Sequence, residues 1–314
     1  MRRWMTLCVV AALALLVAAG ARPQPALAVR SACGWQKQPP RIYKHVIIIM
    51  HENHSFEHIM GNRHAPFLNG IARRCGMATN SWATAHLSYF DYSAATSGLN
   101  YPSRTGPTIF GQVRSRGLRW GVYSQSQPRN CLMRDAYPYE SGHNPATHYR
   151  LRGCDRHAKS LGTPRRGPLQ RALVRRRLPA YTWIVPDKCH DMHDKCYGDA
   201  VGTADNWTQA WIRRIVRSRT YQRGRTVIFI TWDEGWKKGM NQLRGWDCLQ
   251  HIGDISCHIP TIVISPYTRH GTRSSTFFSH YSLLKTTEQL LGIHRYLGHA
   301  GDRRTNSMRS AFHL

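Results

Sequence analysis

Residues 45–56 of the chain read HVIIIMHENHSF. The first six residues form a short apolar run rich in β-branched side chains, which is typical of a strand buried in a parallel sheet. Three later runs have the same character: Ala180–Val185, Thr226–Trp232 and Thr261–Ser265. We therefore predict four buried strands, and polar residues follow the first of them without a break.

Two helices are predicted among these strands. Asn206 can cap a helix with an apolar face, which would consist of Trp207, Trp211, Ile212 and Ile215. A second helical run covers His280–Leu291, and Gly292 supplies its stop. Strands that alternate with helices predict an α/β fold with a largely parallel central sheet and helices on both faces.

Two parts of the chain differ from this alternating pattern. Residues 1–28 begin with Arg2 and Arg3, continue in a short apolar run and end in Ala-Leu-Ala, as a secretory signal peptide does. Cleavage is expected after Ala28, with Ala19-Gly20-Ala21 as the competing site and an uncleaved membrane anchor as the alternative reading. Residues 29–314 are predicted to form a single domain with an irregular, arginine-rich insertion around residues 112–179.

Cysteine usage points to an oxidising compartment. The chain has nine cysteines, and loss of Cys8 with the signal peptide leaves an even number in the exported chain. Their spacing suggests the local pairs Cys189–Cys196 and Cys248–Cys257. A zinc site made of thiolates is the rival interpretation, although no two of these cysteines have the C-x-x-C spacing. We expect a secreted or extracellular protein.

The chain is strongly basic, with a formal net charge of +27. Much of the excess lies between Val113 and Arg177, where arginines far outnumber acidic residues. Such a field favours an anionic substrate, an anionic membrane surface or a cell-wall polymer as partner, and a merely solvated surface is the alternative. Aromatic residues are not interleaved with the arginines, so no dedicated nucleic-acid binding is predicted.

Acidic and histidine side chains follow three of the predicted strands. The first strand runs into residues 51–56 (HENHSF), the second into residues 186–194 (PDKCHDMHD) and the third into Asp233-Glu234-Gly235. Ligands of open α/β sheets bind outside the carboxyl ends of the strands. Carboxylates that converge there predict a divalent metal site, whose metal the sequence does not specify.

These residues also carry a family resemblance. Residues 46–61, with ENHSFEH inside them, resemble the opening motif of the phosphoesterase family, which includes bacterial acid phosphatases and non-haemolytic phospholipases C. Residues 86–98 (HLSYFDYSAATSG) are similar to its nucleophile segment. The remaining motifs follow in family order: HNP (143–145), HDMH (190–193), TWDEG (231–235), CHIP (257–260) and HYSLL (280–284). The resemblance spans Lys44 to Leu291 and implies an alkaline-phosphatase-like fold.

The resemblance implies a role for each matching residue. Ser88 would be the nucleophile, with Thr96 and Ser97 as alternatives, and His143 and His193 would bind the phosphoryl oxygens. The metal would be held by a set of four residues: Glu52, Asn53, Asp233 and Glu234. Four further residues are expected behind them: His86, Asp191, His258 and His280.

The sequence therefore predicts a secreted, metal-dependent hydrolase of phosphate esters with a serine nucleophile. Two alternatives stay open. The first is a phospholipase C that acts on lipid phosphodiesters, because mono- and diesterases would share this catalytic core. The second is an exported, non-catalytic binder of anionic polymers that uses the arginine-rich segment.

Overall fold

The computed structural model describes residues 32–314, without the side chains of residues 240 and 241. The predicted signal peptide, with Cys8 and both cleavage sites, lies outside the described residues. Within the described range no helix is both long and apolar enough to cross a bilayer.

The strands of residues 32–314 have these bounds: β1 His45–His51, β2 Gly76–Ala78, β3 Ser81–Trp82, β4 Trp120–Ser124, β5 Ala158–Ser160, β6 Tyr181–Val185, β7 Thr226–Trp232, β8 Thr261–Ile264, β9 Thr272–Ser274 and β10 Phe278–Ser279. The helices are α1 Phe56–Ile59, α2 Pro66–Arg74, α3 Ser88–Ser97, α4 Ile109–Ser115, α5 Cys154–His157, α6 Pro168–Val174, α7 Ala200–Val216, α8 Arg219–Gln222 and α9 His280–Leu290. Short 3-10 helices lie at Pro145–Thr147, Met240–Leu243, Cys248–Gln250 and Gly298–Gly301.

Eight of these strands form one sheet in the order β5-β4-β6-β1-β7-β8-β2-β9. The strands from β5 to β7 are parallel, and Ile47 at the centre of β1 lies opposite Thr182 of β6 and Ile228 of β7. Strand β8 runs antiparallel to β7. The four predicted strands are confirmed as β1, β6, β7 and β8, and the sheet is largely parallel, as expected.

Alternate residues of β1 face two separate hydrophobic cores. Ile47 and Ile49 pack on the side that carries α2 and α7, whereas Val46, Ile48 and Met50 pack on the side that carries α3, α4 and α9. Because both faces of the sheet are covered by helices, the central strands are buried at every position except His45 at the start of β1. The predicted fold class is confirmed.

Residues 112–179 differ from the expected irregular insertion. They contribute β4 and β5 to the central sheet, and Val122 of β4 lies opposite Trp183 of β6. The sequence of β4, WGVYS, contains a glycine and a serine and follows the arginine-rich residues 114–119, so its strand character is weak in the sequence. The segment is therefore part of the main fold, and the prediction of an irregular insertion was wrong in this respect.

The helix predicted after Asn206 begins earlier, at Ala200. Asp199 is its N-cap, and its Oδ1 accepts a hydrogen bond from Gly202 N at 3.0 Å. Asn206 is an exposed residue inside α7. The capping residue was misplaced because Asp and Asn are equally good N-caps and the apolar face begins beyond both.

The eight cysteines of residues 32–314 form four disulfides. Cys189–Cys196 and Cys248–Cys257 are confirmed, and the other pairs are Cys33–Cys75 and Cys131–Cys154. A zinc site made of thiolates is excluded among the described residues, because each of these sulfurs is already bonded to another.

Candidate active site

The site lies where β6, β1 and β7 end side by side. Glu52 follows β1 directly and is fully buried. Its Oε2 accepts a hydrogen bond from the Ser88 hydroxyl at 3.0 Å, and its Oε1 accepts one from the Tyr92 hydroxyl at 2.5 Å. Both donors belong to α3, so one carboxylate ties the end of the central strand to the start of this helix.

The spacing of the two donors explains this arrangement. Ser88 is the first residue of α3 and Tyr92 is four residues later, so both side chains lie on the same helical face. Leu87, directly before the helix, has φ of 130° and ψ of 111°, a conformation that L-residues rarely adopt. This strained residue directs the chain sharply into α3 and sets the position of the Ser88 hydroxyl.

Asp91 holds the turn that precedes this serine. Its Oδ1 accepts hydrogen bonds from the backbone N–H of Thr84 at 2.7 Å and of Ala85 at 3.1 Å. The same oxygen lies 2.9 Å from Nδ1 of His280, whose Nε2 donates to the Trp232 carbonyl at 2.9 Å. His280 thus joins the nucleophile segment to the end of β7, and it acts on the site through Asp91.

Asp233 follows β7 at the floor of the site. It is fully buried, and its Oδ1 accepts a hydrogen bond from Asn53 N at 2.9 Å. Within residues 32–314, its Oδ2 has no hydrogen-bond partner. A buried carboxylate oxygen without a partner carries a large desolvation cost, which a bound cation would remove.

Glu234 lies beside it and is held by two side chains. Its Oε2 is in a short contact with Nδ1 of His86, and the Asn53 side chain also interacts with it. Nε2 of His86 lies 3.0 Å from the Ser256 hydroxyl. Burial and the adjacent charge of Asp233 raise the pKa of Glu234 well above its usual range.

His143 bridges two of the buried carboxylates. Its Nδ1 lies 3.2 Å from Oδ2 of Asp191, and its Nε2 lies 3.4 Å from Oε2 of Glu52. Its ring is parallel to that of Tyr92, with 6.0 Å between the centroids. Although burial opposes the charged form, the hydrogen bond and charge of Asp191 raise the pKa of His143. The His143 imidazole therefore lies between Asp191 and the carboxylate that Ser88 contacts.

Asp191 also positions His193. Its Oδ1 accepts a hydrogen bond from His193 N at 2.8 Å, and its carbonyl accepts one from Glu52 N at 2.9 Å. The His193 side chain is 39% exposed and its Nδ1 lies 2.6 Å from Oδ1 of Asp194. His193 consequently stands at the open wall of the site, while His143 lies inside.

A cleft with a volume of about 1340 Å³ opens over these groups. Its lining includes Ser88, His143, His193, Glu234 and Trp236. The cleft is far larger than a phosphate group, so a substrate can place a sizeable leaving group in it. The Ser88 hydroxyl is thus accessible from the cleft and supported from behind by Glu52.

The donor set fits a divalent metal ion. Glu52, His143 and Asp191 present ligand atoms within 4.8 Å of one another, and all three side chains are buried. Burial and the charges of Asp233 and Asp191 raise the pKa of Glu52 well above its usual range. Such mutual repulsion, together with the unpartnered Oδ2 of Asp233, is what a cation at this cluster would relieve. The residues bring together mainly oxygen ligands, with imidazole nitrogen nearby.

Most residues predicted from the sequence meet at this place, and their chemical roles stay predictions. The convergent set is Glu52, Asn53, His86, Ser88, His143, Asp191, His193, Asp233 and Glu234, with His280 behind Asp91. His258 lies elsewhere: its Nδ1 contacts Glu57 at 2.7 Å and its ring stacks on Phe56.

The alternative nucleophiles are turned away from the cleft. Thr96 donates to the Tyr92 carbonyl at 2.7 Å and Ser97 donates to the Ser93 carbonyl at 2.8 Å. Both are buried inside α3. Tyr92 and Asp91 are contributors that the sequence did not single out, although the four-residue spacing from Ser88 to Tyr92 was a usable signal for the first.

Comparisons with known proteins agree with this geometry. Residues 92–294 match the profile of the Phosphoesterase family. The phosphatidylinositol-3-phosphatase of Mycobacterium tuberculosis is 25% identical over 263 residues, which are 80% of this chain and 78% of that protein. The phosphate-repressible acid phosphatase of Penicillium chrysogenum is 22% identical over 246 residues, which are 72% of this chain and 54% of the fungal protein.

A solved structure extends the comparison to the fold. A protein of the alkaline phosphatase superfamily from Vibrio parahaemolyticus superposes with a TM-score of 0.60 at 12% identity, over 88% of this chain and 71% of that one. The predicted alkaline-phosphatase-like fold is confirmed. Both relatives are named as phosphatases, which are phosphoric ester hydrolases, and this confirms the predicted enzyme class. Because the family profile matches well over half of the residues of this chain, the chain belongs to the Phosphoesterase family.

Proposed function

We propose that the chain is an exported, metal-dependent hydrolase of phosphate monoesters in which Ser88 is the nucleophile. The observation that carries this proposal is the hydrogen bond from the Ser88 hydroxyl to Glu52, made at the floor of an open cleft. The two relatives described above are named as phosphatases, and these names support monoesters as the substrate class. The four disulfides of residues 32–314 support export, because such bonds persist in oxidising compartments.

Metal dependence follows from charge. Glu52, Asp191 and Asp233 are buried close together, and a phosphate monoester dianion would be repelled by them. Glu52, Asn53, Asp233 and Glu234 would hold a divalent cation, with Asp191 in reach of the same cluster. When bound, it would neutralise the phosphoryl oxygens and favour the ionised form of the attacking hydroxyl.

The residues of the chain account for the remaining chemistry. The Ser88 oxygen forms a bond to phosphorus while the bond from phosphorus to the ester oxygen breaks. The serine proton passes to Oε2 of Glu52, to which it is already hydrogen-bonded. Water then attacks the phosphoserine and gives one of its protons to His193, phosphate leaves, and the Ser88 oxygen takes its proton back from Glu52.

The two histidines act on the other atoms of the phosphoryl group. His143, oriented by its contact with Asp191, donates to a phosphoryl oxygen. His193, which stands at the open wall beside Asp194, supplies the proton that the leaving alkoxide needs. The N-terminus of α3 adds the positive end of a helix dipole beside the attacking serine.

An activity panel tests the proposal. The purified chain would be assayed with a chromogenic phosphomonoester, a chromogenic phosphodiester and phosphatidylcholine, each with added divalent metal. We expect hydrolysis of the monoester to dominate. Preference for phosphatidylcholine would replace the proposal by a phospholipase C, and silence with all three would favour a non-catalytic binder of anionic polymers.

A further inference from the structure

The edge of the sheet opposite the active site is strongly basic. Strands β4, β6, β1 and β7 are adjacent and parallel, so their amino ends lie together. The segments that lead into them are residues 114–119, 174–177, 41–44 and 217–225. They hold twelve arginines or lysines and no acidic residue: Arg41, Lys44, Arg114, Arg116, Arg119, Arg175, Arg176, Arg177, Arg217, Arg219, Arg223 and Arg225. We call these four segments the basic edge.

Contacts join the segments of the basic edge to one another. A guanidinium nitrogen of Arg119, before β4, donates to the Arg177 carbonyl, before β6, at 3.1 Å. A guanidinium nitrogen of Arg225, before β7, donates to the Ile42 carbonyl, before β1, at 3.0 Å. All twelve cationic side chains are exposed. The charge is therefore concentrated on one surface and is free to meet a partner.

Apolar side chains stand among these charges. Ile42 is 39% exposed, Leu118 is 36% exposed and Val174 is 58% exposed, and they belong to three different segments of the basic edge. The aromatic residues of the four segments, Tyr43 and Tyr221, are buried. A single exposed apolar residue needs no explanation, but three on one arginine-rich edge form a combined apolar and cationic surface.

We propose that the basic edge binds the surface of an anionic lipid bilayer. Cations close to such a surface are each worth about 1 kcal/mol, and apolar side chains gain by entering the boundary between headgroups and acyl chains. A nucleic acid fits less well, since it would leave the apolar residues in water and would find no exposed aromatic ring on which bases could stack.

This orientation has a consequence for the substrate, and it goes beyond the proposed function. The seven residues of β1 separate the basic edge from the cleft by about 23 Å. A chain bound through the basic edge therefore turns its cleft away from the bilayer. It would hydrolyse phosphate esters in the surrounding solution, and the lipids on which it rests would be out of reach.

Vesicle co-sedimentation tests the proposal with the mature chain. Binding to vesicles of phosphatidylglycerol would be compared with binding to vesicles of phosphatidylcholine alone. The variant Arg175→Gln/Arg176→Gln/Arg177→Gln should bind phosphatidylglycerol about a hundredfold more weakly, since each cation contributes about a factor of five. The matched control Arg273→Gln/Arg303→Gln/Arg304→Gln removes three exposed cations elsewhere and should bind almost as the wild type does. Equal losses in both variants would overturn the proposal, because they would reflect net charge alone.

A second pair of variants tests the apolar part. Val174→Ser should weaken vesicle binding, and Ile252→Ser, which alters a side chain 49% exposed outside the basic edge, should not. If Val174→Ser has no effect and soluble polyphosphate competes fully with vesicles, the partner is an anionic polymer and the bilayer is excluded.

Hydrolysis of a soluble monoester by vesicle-bound protein should continue at the rate of the unbound protein, and inhibition on binding would contradict the orientation. The binding result stands even if the chain hydrolyses no ester, so the two proposals can fail separately.

Discussion

The Ser88 hydroxyl donates its hydrogen bond to the buried carboxylate of Glu52 across 3.0 Å. The two residues come from different elements, one from the end of β1 and one from the first turn of α3. Their contact connects the central strand of the sheet with the floor of the cleft.

Ser88→Ala should lower the rate of monoester hydrolysis by about three orders of magnitude or more, the scale seen when an essential nucleophile is removed. The free energy of unfolding should fall by no more than about 1–3 kcal/mol, the cost of one lost hydrogen bond to a buried group. Acid quench and mass spectrometry should find the phosphoryl group on Ser88. Thr96→Ala is the control, and label on Thr96 or Ser97 would show that the nucleophile is misassigned.

Tyr92→Phe removes one of the two hydrogen bonds to Glu52 and leaves the ring in place. A hydrogen bond to a charged group is worth about 1.5 kcal/mol or more, so we expect kcat to fall about tenfold with little change in KM. Tyr149→Phe is a matched control, since that hydroxyl contacts α3 through Thr96 at 2.8 Å. Equal effects of both changes on kcat would mean that Tyr92 serves only the stability of the helix.

Removal of divalent metal with a chelator should abolish hydrolysis, and added metal should restore it. Independently of activity, the metal should raise the melting temperature, because a ligand that binds only the folded state stabilises it. Asp233→Asn should abolish this rise, whereas Asp155→Asn, an exposed control, should keep it. Full hydrolysis by rigorously metal-free protein would contradict the metal-dependent mechanism.

Glu288 of α9 should make stability depend on pH. Its side chain is buried, its Oε1 accepts a hydrogen bond from Leu297 N at 3.0 Å, and burial raises its pKa from 4.5 to about 7. The folded chain thus holds this proton more tightly than the unfolded chain. Its contribution to stability is fully present below pH 4.5 and is lost as the pH rises through 7.

Glu288→Gln should remove this part of the pH dependence. Above pH 7 the variant should be more stable than the wild type by on the order of 3 kcal/mol, since each tenfold change in proton affinity corresponds to about 1.4 kcal/mol. Near pH 4.5 the advantage should vanish. Urea unfolding across this pH range measures the difference in the free energy of unfolding, with Asp155→Asn as control. If the free energies of wild type and Glu288→Gln change with pH in parallel, Glu288 is not the group responsible.

The sequence predicted the central strands well because β1, β6 and β7 are buried on both faces and read as continuous apolar runs. Strands β4 and β5 were not predicted because neither reads as a continuous apolar run, although β4 is fully buried. Gly121 and Ser124 interrupt the apolar residues of β4, and β5 has only three residues at the edge of the sheet. Their place depends on pairing with β6, which is a tertiary contact.

The candidate site divides in the same way. Residues at strand ends, such as Glu52 and Asp233, are predictable because parallel strands bring their carboxyl ends together. The position of His258 was not predictable from the sequence, because it depends on the packing of its ring on Phe56. The basic edge likewise appears only when the fold joins four arginine-rich segments that are distant in sequence.

At Leu87 we expect stability and activity to be opposed. A non-glycine residue at φ of 130° costs on the order of 1–3 kcal/mol, which the chain loses from its folding free energy. Leu87→Gly should recover part of that energy and raise the melting temperature, although added backbone freedom should leave Ser88 less well placed and slow hydrolysis. Directed evolution for heat resistance alone would therefore favour loss of this leucine. The selected protein would have a higher melting temperature and a lower rate of hydrolysis.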